Sequence, residues 1–537
     1  MRRKVAVIAV IMCLVLAGCN GKTPPKKDNI SSEKPSSSVT VDSSDSSENT
    51  DDTASDNSEE DSMPEDGDTS AYLRGTVSVI DSNYGKNGSA ATAMYDTQSG
   101  GYDSKAAILR EAICSSVTKY SNTGTTYYIS PNGDDFNDGT SPENAWETTD
   151  ALVLNSYRIQ AGDAVLFERD HVYRANSTVS LVTGVTYGAY GKGSKPIING
   201  SVRDYADSVI WEPSTKKNIW KTEFAQKDAG LIVFNGGKSY GIKKSGLASM
   251  KQNGDFYHNT EEKVLYFYSD KGNPGKLYDS MEIGTNQFLF TMNNRVHDVT
   301  IDNLCFRYTG AHAIDGFENN YDITIKNCEF GWIGGSMQNT VVRYGNAIQF
   351  WDSCWNIRVE NNWIYQAYDA GVTFQYKGTK AGSGKYHDIS FSNNLIEYCT
   401  YGIEIFTEAD TGLMENITFD SNVIRFSGYG FGSQRPNSIN DSHICAWNKY
   451  YGDNMRNFVI KNNVFDCSSS QIIDWASGAL PHKGLTVSGN TFYQKAFNSN
   501  PVMHFGTAGY AYAGSQKQFE NAVAAFDPTP KLVKWIG

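Results

Sequence analysis

The chain has 537 residues, of which 39% are hydrophobic, 12% aromatic and 20% charged, and its formal net charge is -13. Much of that charge sits in the first 70 residues, and no Lys/Arg block occurs, so the balance points away from nucleic acid. Nine cysteines include Cys13 and Cys19; the remaining seven show no C-x-x-C spacing, and Cys305 and Cys328, inside repeat motifs, read as small core residues rather than disulfides or metal ligands.

Arg2, Arg3 and Lys4 precede the apolar run Val5 to Leu16, which is too short to span a bilayer as a helix and reads as a signal segment. The run ends in Leu16-Ala17-Gly18-Cys19, which resembles a bacterial lipobox. That resemblance implies an exported lipoprotein, held extracytoplasmically at the cell membrane by a lipid on Cys19. Residues 20 to 70 are rich in Ser, Asp, Glu, Thr and Pro and almost lack aliphatic side chains, so they cannot bury enough surface to offset chain entropy. A disordered linker is expected there. Residues 71 to 125 read as an N-terminal cap region, in which 104 to 119 have helical periodicity and would cover the open N-terminal end of a coiled body.

Between Val299 and Phe505 a strand motif recurs: apolar, x, apolar, x, Asn, more apolar residues, then a second strand that often opens on Gly. Copies run from Val299 to Phe306, Ile323 to Phe330, Ile357 to Ile364, Ile389 to Ile396, Ile417 to Ile424, Phe458 to Phe465 and Leu485 to Phe492. The motif asparagines or their equivalents are Asn303, Asn327, Asn361, Asn393, Ser421, Asn462 and Gly489, spaced 24 to 41 residues apart as in a solenoid. Apolar residues alternate with polar ones, and no helical segment intervenes, so one strand unit is being stacked into a coiled sheet. The Asn fits a turn, since its amide bonds the backbone and a neighbouring coil while it tolerates left-handed backbone. A terminal cap, 511 to 537, contains a second helix candidate, Ser515 to Phe526.

These repeats resemble the right-handed parallel β-helix family of the pectate-lyase-like superfamily, and the resemblance, which covers residues 126 to 510, implies an all-β solenoid with helical caps. Tyr127 to Thr140, Gly162 to Phe167 and Tyr187 to Gly191 look like the opening coil shared by β-helix lyases and glycosidases. Asp134, Asp135 and Asp138 crowd that turn, an arrangement that could hold calcium, the alternative being Asx turns bonding their own backbone.

Aligning the second strands (Ala313-Ile-Asp-Gly, Ala347-Ile-Gln-Phe, Gly371-Val-Thr-Phe, Gly402-Ile-Glu-Ile, Gly430-Phe-Gly-Ser, Ile472-Ile-Asp-Trp and Val502-Met-His-Phe) gives one outward column. Its members are Asp315, Gln349, Thr373, Glu404, Gly432, Asp474 and His504. Irregular insertions abut this face and would turn it into a cleft. Trp351, Tyr368, Phe406, Tyr429 and Trp447 are candidates for stacking on sugar rings; Gln349, Thr373, Gln375, Arg343 and Arg435 are candidates for holding sugar hydroxyls or carboxylates.

Tyr368 to Gln375, Tyr401 to Glu404 and Gly432 to Pro436 resemble segments of β-helix proteins from carbohydrate-degrading bacteria. That resemblance does not itself fix a reaction; the carboxylates beside the column, which contains no Lys, lead to the expectation of a cell-surface glycoside hydrolase acting on a complex oligo- or polysaccharide, as a monomer without a required cofactor. Glycoside hydrolysis needs two carboxyls, and Asp369 with Glu404 is the leading pair. Asp369 aligns four places before Glu404, an offset of about 13 Å in an extended strand, so a bend is required, with Asp315, Glu408 and Asp410 as substitutes. A uronate lyase or epimerase, or a glycan-binding surface protein without activity, are the alternatives. Replacing Cys19→Ser should move the protein from the membrane fraction to the soluble one, and retention in membranes would remove the lipoprotein reading.

Overall fold

A computed structural model describes residues 102–536 apart from 340–341, 377–383, 408–412, 436–440, 449–454, 477–482, 496–500 and 507. Cys19, the acidic linker, Glu408 and Asp410 lie outside the described residues, as does the side chain of Trp447.

Each coil supplies one strand to each of three ten-stranded sheets. The first sheet starts at Thr126–Ile129 and ends at Lys483–Ser488; the second runs from Val179–Ser180 to Gly509–Ala511; the third runs from Val172–Arg174 to Leu532–Trp535. Register is kept from coil to coil. Val299, Ile323, Ile357, Ile389, Ile417, Phe458 and Leu485 stand in one row of the first sheet. Phe306, Phe330, Ile364, Ile396, Ile424, Phe465 and Phe492 do the same in the third. Both rows line a single apolar interior, because period-two alternation sends them to one side of the sheet. The fold is a parallel β-helix.

The turn motif works through two adjacent residues. Asn303, Asn327, Asn361, Asn393, Ser421, Asn462 and Gly489 all have positive φ, between 51° and 69°. The buried ladder, however, belongs to the next residue. Asn362, Asn394, Asn422, Asn463 and Asn490 are at most 1% exposed. Each Nδ2 donates to the Oδ1 of the following coil at 2.9 to 3.0 Å, and the last donates to Asp527 Oδ2 at 2.8 Å. Each also donates to a backbone carbonyl of the preceding coil, such as Asn394 Nδ2 to Val359 O at 2.8 Å. The left-handed residue bends the chain, and its neighbour's amide satisfies the polar groups that the bend buries.

Three expectations are corrected. The first helix, Asp103–Ser115, does not close the end of the coil but packs on the flank of the third sheet. Arg110 Nη2 donates to Glu397 Oε2 at 2.6 Å, and Arg425 reaches Asp466, Glu397 and Asp103. These buried charges hold the helix where an outward polar row would otherwise face water. The coil is also interrupted: strands between Glu212–Pro213 and Met281–Thr285 form two smaller sheets whose pairs are antiparallel except that of Ile242–Lys243 with Asp255–Asn259. Finally, the coil does not end near residue 510, because Leu532–Trp535 adds a parallel strand to the third sheet. The second helix, Gln516–Ala524, does cover an end, with Phe519 and Val523 inserted in the main core.

Replacing Asn422→Ala would take from the Asn394 backbone N–H and Nδ2 the oxygen they share, from the Phe391 carbonyl its side-chain donor, and from Asn463 Oδ1 one of its two donors. The expected loss is about 2 to 4 kcal/mol by denaturant unfolding, and a loss below about 1 kcal/mol would show the ladder to be dispensable.

Candidate active site

The outward column of the second sheet is continuous. Thr291, Asp315, Gln349, Thr373, Glu404, Cys445, Asp474 and His504 pair directly across successive strands. Cys445 stands where the strand alignment puts Gly432. The strand Ser442–Asn448 fills that coil, whereas Phe431–Gln434 forms a short turn outside the sheet. The rows on either side behave as period two demands: Ile314, Ile348, Val372, Ile403, Ile444, Ile473 and Met503 are in the core.

Glu404 is the most perturbed acid of this column. It is 7% exposed, and burial is the chief cause that pushes its carboxyl up to about 8, with the nearby Asp369 adding to the rise. Thr373 Oγ1 donates to Glu404 Oε2 at 3.0 Å and Gln375 Nε2 donates to the same oxygen at 2.7 Å. Both bonds oppose the rise, as does Arg435.

Asp369 occupies the turn before its strand, and its carboxylate accepts from Arg435 Nη1. That contact is the largest cause of a raised Arg435 pKa, and Glu404 contributes to the same rise. Asp369, Arg435 and Glu404 thus act on one another electrostatically, although Asp369 keeps its register four places before Glu404. Arg435 also lies 5.8 Å from the centroid of the Tyr401 ring.

Asp315 is pushed up to about 6 by burial against a hydrogen bond from Gln349 Nε2 at 3.0 Å. Gln349 is in turn held through Oε1 by Asn346 Nδ2 at 2.9 Å. Asp315 stands three strands from Glu404, about 14 Å at the usual strand spacing, too far to serve as its partner carboxyl.

Other candidates have structural duties. Tyr368 is fully buried, with the Arg343 guanidinium 4.3 Å above its ring, so neither presents itself to a ligand in the column. Arg343 donates to Gly335 O at 2.7 Å, Gln434 Oε1 at 3.1 Å and Gly230 O at 3.2 Å. Tyr429 is also buried. Trp351 does belong to the face. It pairs with Phe317 and Gln375, and Phe406 follows in the same row, two residues beyond the acids. Phe317 is 45% exposed and Trp351 and Phe406 are half-buried.

Sequence reasoning misses Phe317, although its place two residues after Asp315 is a signal for it. It also misses the antiparallel insertion, whose Lys243 backbone N–H donates to Gln434 Oε1 at 3.1 Å. With Arg343 on the same oxygen, the insertion fastens the turn that carries Arg435.

The acidic turn does not gather into a metal site. Asp134 Oδ1 accepts from Phe136 N, Asp138 Oδ1 from Thr140 N and Oγ1, and Asp135 from Glu147 N, Thr148 N and Thr148 Oγ1. Each carboxylate is spent on local donors, and among the described residues no three His, Cys, Asp or Glu side chains converge on a metal position. A cavity of about 780 Å³ lies away from the column; its Arg174 and Arg307 are held by Glu282 and Glu329, and its Lys195 donates to Ser116 Oγ and Asn303 Oδ1.

No protein-family model and no curated protein matches the chain. Among solved structures it is similar to XylC in complex with xylose, at TM-score 0.41 and 11% identity over 76% of this chain and 83% of that one. It is similar to a structure described as a glycoside hydrolase, at 0.41 and 10% over 77% and 96%. It is also similar to the pectate lyase Pel9A, at 0.34 and 13% over 70% and 72%. The likeness is one of fold.

Because the Glu404 carboxyl rises from its ordinary 4.5 to about 8, the folded chain keeps a proton that the unfolded chain releases. That contribution to stability is complete below about pH 4.5 and lost as pH rises through about 8. Thermal unfolding followed across this window should show a fall in the parent that Glu404→Gln lacks, and parallel curves would refute the buried acid.

Proposed function

We propose that the chain is an exported, lipid-anchored glycoside hydrolase acting on an oligo- or polysaccharide, with Glu404 as proton donor and Asp369 as the second carboxyl. The observation that carries this reading is the pairing of a desolvated acid with a pKa of about 8 and a neighbouring carboxylate ion-paired to Arg435. Two carboxyls in environments so different suit opposite proton-transfer roles.

Thr373 and Gln375 both donate to Glu404 Oε2, so the proton belongs on Oε1. From there it passes to the glycosidic oxygen as the bond to the anomeric carbon breaks, leaving Glu404 as carboxylate. Asp369 completes the reaction in one of two ways. As a base it takes a proton from the water whose oxygen bonds to the anomeric carbon; as a nucleophile it bonds to that carbon first and is displaced by water. Arg435 balances the charge of the pair once Glu404 has given up its proton. Phe317, Trp351 and Phe406, in the adjacent row, suit the apolar faces of sugar rings.

The column favours an uncharged glycan. Asp315, Glu404 and Asp474 face outward, no Lys or Arg belongs to the column, and the nearest guanidinium is engaged by Asp369. A uronate would meet carboxyls without a cation to receive it.

Screening the full chain against plant and host glycans should yield reducing ends without unsaturated, ultraviolet-absorbing products. Glu404→Gln and Asp369→Asn should each lower turnover by about 10² to 10⁴ while the fold persists, and Lys385→Ala should leave it unchanged. Full activity in both carboxyl variants, or unsaturated products, would sink the proposal.

A further inference from the structure

The outward column continues past Glu404 to the end of the second sheet. After Cys445 come Asp474 and His504, and His504 pairs with Tyr510 on the antiparallel closing strand Gly509–Ala511. Asp474 Oδ1 lies 2.8 Å from His504 Nδ1, and the imidazole stacks on the Tyr510 ring with centroids 4.0 Å apart and planes 21° from parallel. Yet Tyr510 is 55% exposed and Tyr512, two residues on, is 61% exposed. Trp351 and Phe406, in the next row of this sheet, are by contrast half-buried.

This arrangement is built in layers. The carboxylate fixes the imidazole, and the imidazole covers one face of the phenol and leaves the remainder of that ring in water. A ring braced in this way loses little side-chain freedom when a ligand settles on it, and its hydroxyl can bond to a sugar hydroxyl. Asp474 already accepts from His504, so nothing here offers a free cation for an acidic sugar. At the usual strand spacing Tyr510 stands four strands, about 19 Å, from Glu404.

We infer that Tyr510, braced by His504 and Asp474 and flanked by Tyr512, is a distal platform for an uncharged sugar ring of the same glycan whose bond is cleaved beside Glu404. The inference deepens the hydrolase reading and rests on it for the direction of the groove. It makes the substrate a chain of several sugars lying along the column, cut away from the end that Tyr510 holds.

Affinity electrophoresis of the full chain in gels cast with xylan, arabinan, galactan or mucin tests the platform without turnover when Glu404→Gln is also present. At least one polysaccharide should retard that chain. Adding Tyr510→Ala or His504→Ala should weaken retardation about three- to tenfold, as one lost stacked ring would, whereas Tyr510→Phe should keep most of it. Circular dichroism confirms that each variant is folded. Unchanged retardation with Tyr510→Ala overturns the platform, as does passage of the chain unretarded through all four gels. Retardation lost with Tyr510→Ala in a chain whose parent cleaves none of these glycans keeps the platform and removes the hydrolase reading.

Discussion

The constraint on which everything else depends is the in-register stacking of coils, and the buried amide ladder is what holds it. A parallel strand can slip along its neighbour by two residues and keep its apolar face inward, so the apolar pattern alone does not set the stagger. A buried Asn tolerates no such slip. Its amide must meet one amide ahead, one behind and a carbonyl, and a displaced coil would leave several of these unpaired in the interior.

Fixed register is what makes a column of side chains possible. Residues far apart in the sequence, such as Asp315 and Asp474, share one straight line because every coil repeats the same phase. The column alone would be a wet polar face, with acids at ordinary pKa. What sets Glu404 apart is its burial together with the neighbouring Asp369, while Arg435, carried at the end of the turn Phe431–Gln434 that the insertion pins through Gln434, opposes the rise. The repeat supplies position and the irregular segments supply the cation that pairs with Asp369.

This division also explains what is legible in the sequence. The strand rows and nearly all of the outward column follow from period two, and they hold in the structure. Gly432 misleads because Gly430-Phe431-Gly432 imitates the start of a second strand, while the true strand lies beyond a longer excursion. The ladder sits one residue later than the motif suggests because Asn361 and Asn362, Asn393 and Asn394, and Asn462 and Asn463 are doublets. One member needs left-handed backbone and the other needs burial, and composition does not say which is which. The insertion between Glu212 and Thr285 alternates just as the coils do, so pairing direction is invisible there. The duties of Arg343 and Tyr368 depend on loops that meet only in three dimensions.

The last rung of the ladder is a carboxylate. Asp527 accepts from Asn490 N–H, Asn490 Nδ2 and Thr529 N–H, and it has no amide to offer onward. A stack of asparagines is a relay that asks for one more copy at its open end, which is the logic of a growing fibre. An acceptor without a donor breaks that request. In this chain the ladder therefore closes on a side chain that accepts and does not donate, at the same end that the helix Gln516–Ala524 covers.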